Sequence, residues 1–137
     1  MKDRSLFLQT ARQIDFVDVF LCCKLYDICN DNLIAGTSRS NFVCWLNLRP
    51  TDPPILLLPR EKTRLSYFIK EVSEHLIIKQ FKNDWISTML KTCGVSKEHY
   101  DKHCHEVMQN RHMDKNKELM DGLTSAFDVA KKIMAMI

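Results

Sequence analysis

The strongest constraint in this chain is a change of hydrophobic period near its middle. Phe42-Val-Cys-Trp-Leu-Asn-Leu48 and Ile55-Leu-Leu-Leu58 are short apolar runs joined by the corner Arg49-Pro-Thr-Asp-Pro-Pro54. From Leu65 the apolar positions fall at helical steps: Leu65, Phe68, Ile69, Val72 and Leu76. Short apolar runs bounded by prolines predict strands, and a spacing of three and four predicts a helix. Together they predict an α+β fold. A small antiparallel sheet, formed by a hairpin over about residues 42–58, would pack against four to five helices.

The flanking segments extend this reading. Ile14, Val17, Leu21, Leu25 and Ile28 form one helical stripe and predict a helix over about residues 11–29. Ser5 to Leu8 and the trio Leu33, Ile34 and Ala35 are candidates for short additional strands. The C-terminal half reads as helical. Asn83 or Asp84 would cap a helix carrying Trp85, Ile86, Met89 and Leu90, and Gly94 would end it. Ser96 would cap a helix with Tyr100, Cys104, Val107 and Met108 on one face. Asp114 would cap a last helix with Leu119, Leu123, Phe127, Ala130, Ile133, Met134 and Ile137 in register. With 137 residues and no linker or repeat, one domain is expected.

Hydrophobic residues make up 45% and charged residues 27%, a balance that supports a packed core and argues against disorder. The net charge of +3 is well short of a concentrated nucleic-acid-binding field. Cys22, Cys23, Cys29, Cys44 and Cys104 sit among apolar residues or on apolar faces, where a reduced thiol behaves as a small hydrophobe. The start Met1-Lys-Asp-Arg4 lacks a signal-peptide pattern. The apolar stretch from Phe16 to Ile28 is interrupted by Asp18, Lys24 and Asp27. A soluble cytoplasmic protein that does not enter the membrane is therefore expected.

The order of parts also carries a resemblance. A run ending in Asn47, a turn with Thr51, a second run ending in Pro59 and a long helix come first. Gly94-Val-Ser-Lys-Glu-His-Tyr100 and Lys115-Asn-Lys-Glu-Leu-Met-Asp-Gly-Leu-Thr-Ser-Ala-Phe127 follow. Over residues 40–137 this resembles a family of small uncharacterised bacterial proteins, many from mobile or accessory regions. Its members have a similar hairpin, a Gly-Val-Ser or Gly-Phe-Ser helix start and an Asn-Arg-Ser-Val-Leu-Gly-Ser-Met-Asn-Asp-like final helix. This chain departs from that signature at Lys117-Glu118. The resemblance implies the hairpin-and-helix fold and no particular activity.

Several constellations could carry chemistry. His99 and His103, one helical turn apart, could share a metal, although no Cys-x-x-Cys or His-Glu-x-x-His pattern accompanies them. Arg60, Arg64, Arg111 and Lys115 form two basic patches that could meet nucleic acid. Trp45, Phe68 and Trp85 could anchor a ligand pocket between hairpin and helices, and each is also a natural core residue. Ile133, Met134, Met136 and Ile137 could form a dimer interface, since methionines adapt to partner surfaces. The expected role is a non-enzymatic binding or interaction protein with no cofactor, homodimeric, engaging a protein or small molecule. A metal-assisted or acid–base enzyme at His99 and His103, and a nucleic-acid-binding regulator, are the alternatives.

Overall fold

The computed structural model describes Phe7 and residues 14–136. The helices are α1 (Val19–Cys29), α2 (Arg39–Leu46), α3 (Lys62–Ser73), α4 (Lys82–Thr92), α5 (Lys97–His103), α6 (Glu106–Gln109) and α7 (Asp114–Met136). A 3-10 turn, Lys79–Phe81, leads directly into α4. Central α3 packs against α4, α5, α6 and α7, while α1 bridges α2 and α7. One contiguous core joins them, with Phe16, Phe42, Phe68, Trp85, Leu65 and Met89 among its fully buried members.

The α+β expectation is overturned. The chain is mostly helical, 65%, and no strand forms among the described residues. Residues 42–48 hold most of α2 instead of a hairpin arm. Phe42, Trp45 and Leu46 lie at i, i+3 and i+4, so one helix face buries all three. Ser38 starts the helix: its Oγ accepts from Asn41 N at 3.1 Å. A short apolar run reads equally well as strand or buried helix, and here the cap outside the run breaks the tie.

The other expected arm, residues 55–58, is extended but pairs elsewhere. Ala35 N donates to Leu56 O at 2.8 Å and Leu58 N to Leu33 O at 2.9 Å. The β content reduces to isolated bridges, Asn30 with Ile34 and Ile34 with Leu57. The expected strand at Leu33, Ile34 and Ala35 is thus only a contact point. Of the expected strand at Ser5 to Leu8, all but Phe7 lies outside the described residues.

The first helix starts later than its stripe suggests. The Asp18 carboxylate accepts from Phe20 N and Leu21 N and caps α1 there. Upstream, Asn47 Oδ1 accepts from Phe16 N at 2.7 Å and Val17 N at 2.9 Å, holding both in an unwound, buried segment. In the C-terminal half the expected helices form, but the expected caps Asn83, Asp84 and Asp114 lie inside the first turns of α4 and α7 instead of preceding them. Gly94 ends α4 at φ +69°, a left-handed conformation that favours glycine. Ser96 Oγ accepts from His99 N at 3.0 Å and caps α5. The helix expected to continue through Met108 breaks at Cys104 and His105, and Met108 is exposed. Against α1, Gly122 of α7 leaves room for Ile28, whose Cγ1 would lie 3.2 Å from an added Cβ. No helix among the described residues is long and apolar enough to cross a membrane.

Candidate functional site

The turn into α3 builds a polar recess. Leu58, Pro59, Arg60 and Glu61 form a turn closed by Glu61 N donating to Leu58 O at 3.3 Å. Its third residue, Arg60, has φ +66°, where a proline-led turn favours glycine. Non-glycine residues held there cost about 1–3 kcal/mol and cluster at functional positions. Glu61 follows at the start of α3, with its side chain only 5% exposed. Arg64, one turn on, grips that carboxylate from two nitrogens, Nε lying 2.6 Å from Oε1. Its own side chain is 17% exposed.

This ion pair lines a cleft of about 500 Å³ between the end of α1, the extended 55–59 segment and the start of α7. Asp31 and Asn32 stand on one side, and Lys115 and Glu118 of α7 on the other. Asp31 also has positive φ, +64°, just beyond the end of α1. Among the described residues no ion pair engages Asp31, Lys115 or Glu118. A second cleft of about 390 Å³ adjoins the first across Arg64 and Lys115, and Arg60, Thr63 and Asp114 also line it.

An ion pair that buries its carboxylate is a weak stability device, because desolvating that charge opposes the attraction. Glu61 and Arg64 therefore stand out as charges set in place beside space that a ligand could fill. The pairing fixes the Arg64 fork and leaves further N–H donors beyond the two turned to Glu61.

The sequence-derived candidates are distributed as follows. Arg60, Arg64 and Lys115 converge on the second cleft, while Arg111 is exposed and does not line it. Phe68 and Trp85 are fully buried, and Trp45 is 3% exposed. Trp85 Nε1 donates to Leu46 O at 2.8 Å, and Trp45 stacks parallel to Phe68 at 6.4 Å. These rings build the core. Trp45 also lines a recess of about 280 Å³ with Arg49, Thr51 and Thr88.

His99 and His103 do meet, with ring centroids 4.4 Å apart. Burial, aided by His103 and Lys62, lowers the His99 pKa. His103 Nδ1 lies 2.9 Å from Glu106 Oε2, an ion-pair distance that lacks hydrogen-bond alignment. Among the described residues no group of three or more His, Cys, Asp or Glu side chains is arranged to hold a metal ion. At the far end of α7, Ile133 is half-buried while Met134 and Met136 are exposed, and Ile137 lies outside the described residues.

The thiols are muted. Burial pushes Cys22 up to about 12 and Cys93 to about 11, and raises Cys29 strongly. Such groups stay protonated near neutrality and are weak nucleophiles.

Sequence reasoning missed Glu61, Glu118, Asp31 and Asn32. Glu61 with Arg64 at i, i+3 after Pro59 was a visible signal, but such pairs are usually solvated. No family model, no curated protein and no solved structure matches this chain.

Proposed function

We propose that this chain is a non-enzymatic binding domain that takes a small charged ligand into the Glu61–Arg64 cleft. One observation carries the reading: the buried Glu61 carboxylate, gripped by two nitrogens of half-buried Arg64, lines a cleft of about 500 Å³ with Asp31, Lys115 and Glu118 around it. A cleft of this size is common among ligand sites, and its polar and charged lining suits a charged ligand. The raised thiol pKa values at Cys22, Cys29 and Cys93 fit binding better than nucleophilic catalysis. A reducing, cytoplasmic setting belongs to the same reading, as does kinship with bacterial accessory proteins. The alternative of a phosphate-backbone surface fits less well, since Arg64 is already tied to Glu61 and Asp114 and Glu118 flank Lys115.

The test is a thermal-shift screen against small charged metabolites. Ligand at a hundredfold excess over Kd stabilises the fold by about 2.7 kcal/mol. A hit should vanish in the Lys115→Ala/Glu118→Ala double variant, whose own melting temperature should match the parent. A hit that survives those changes would move the site elsewhere, and a screen without hits would refute the reading.

Self-association through the end of α7 is a second reading. It is favoured by the two turns beyond Ala130, the last buried residue among those described, where Met136 is 85% exposed. Light scattering should give a concentration-dependent dimer that Met134→Glu/Met136→Glu converts to monomer. A parent that is monomeric at every concentration would exclude it.

A further inference from the structure

The charge around Arg64 and Lys115 is partitioned. In the larger cleft Glu61 neutralises Arg64, which leaves the carboxylates of Asp31 and Glu118 against the single ammonium of Lys115. In the adjoining cleft Arg60 and Lys115 face only Asp114. The shared wall of Arg64 and Lys115 thus separates a net negative recess from a net positive one. A purely anionic ligand would meet Asp31 and Glu118 in the larger recess, and a purely cationic one would meet Arg60 in the smaller. Like charges brought together repel, and such repulsion selects against wrong ligands.

We infer that the ligand is a compact zwitterion, an amino-carboxylate of about dipeptide size. Its ammonium would sit by Asp31 and Glu118, and its carboxylate by Arg60, Lys115 and the outer N–H groups of Arg64. Adjoining clefts of about 500 and 390 Å³ have room for more than a free α-amino acid, whose two charges sit on one carbon. Arg60, held at positive φ in the turn, lines the smaller recess. This inference rests on the binding reading above and specifies the ligand class for the same site.

The experiment is an NMR titration of the full chain with three dipeptide libraries: free termini, N-acetylated, and C-amidated. Inorganic phosphate and spermidine are titrated separately. The free library should shift resonances of residues 31–32, 60–64 and 114–118, with each blocked library at least tenfold weaker. In Glu118→Gln the free and N-acetylated libraries should converge in affinity, and in Lys115→Met the free and C-amidated libraries should do so. Equal binding of either blocked library to the parent would overturn the zwitterion. So would binding of phosphate or spermidine alone with the free library inert, although the cleft would then still be a binding site. Silence from every probe would overturn both.

Discussion

Arg60 concentrates the tension between stability and use at the scale of a single residue. Its positive φ is a conformation that glycine adopts without steric cost. Arg60→Gly should raise the free energy of unfolding by about 1 kcal/mol, net of the extra freedom glycine gives the unfolded chain. Urea denaturation measures this, and the same variant should bind its ligand more weakly. Lower stability in Arg60→Gly would mean that the arginine side chain supports the fold.

The histidines give a second residue-scale prediction. Burial holds the pKa of both His75 and His99 below the ordinary 6.5. His75 stacks on Phe127 with centroids 3.7 Å apart, and Lys131 adds to its shift. The unfolded chain therefore binds more protons below about pH 6.5, and folding stability should fall as pH drops from 7 towards the lowered folded values. Glu74, whose pKa is lowered by Lys82, adds its own loss only below about 4.5. His75→Gln/His99→Gln should flatten the slope between pH 7 and 5 in denaturation curves. An unchanged slope would assign it to other groups.

Elements in this protein are decided by their ends as much as by their apolar faces. The α2 segment carries aromatic and β-branched residues that suit a strand, and Ser38 tips it to a helix. Ser38→Ala should cost about 1 kcal/mol, the usual value of such a cap. Ser38→Asp should restore most of it, because a carboxylate also accepts from Asn41 N. Equal losses in both variants would show that packing alone holds α2. Further along, the stripes of α3, α4 and α7 were legible because each repeats over several turns: Leu65, Phe68, Ile69 and Val72, then Leu119, Leu123, Phe127 and Ala130. The stripe of α1 was legible too, but its start was not. Asn47, some thirty residues away, takes the amides of Phe16 and Val17.

The described residues share one contiguous core, and the cysteines report on it. Cys22 and Cys29 are fully buried, while Cys23 and Cys44 are partly exposed. A thiol reagent at pH 8 should label Cys23 and Cys44 quickly, and Cys22 and Cys29 only at the rate of global opening. Fast labelling of Cys29 would mean that α1 detaches from α2 and α7 on its own.

The amino-acid sequence by itself determined a packed chain with Cys22, Cys29 and Cys104 in its core and amphipathic helices over its second half. Those properties follow from composition and from periodic spacing within single elements. It did not determine whether residues 42–48 and 55–58 pair with each other, because short apolar runs satisfy both periods. Tertiary contacts decided that α2 lies against α1 and that residues 55–58 run beside Leu33 and Ala35. The cleft was also a tertiary product. Asp31, Arg64 and Lys115 are far apart along the chain, and only the packing of α1, α3 and α7 brings their charges to one recess.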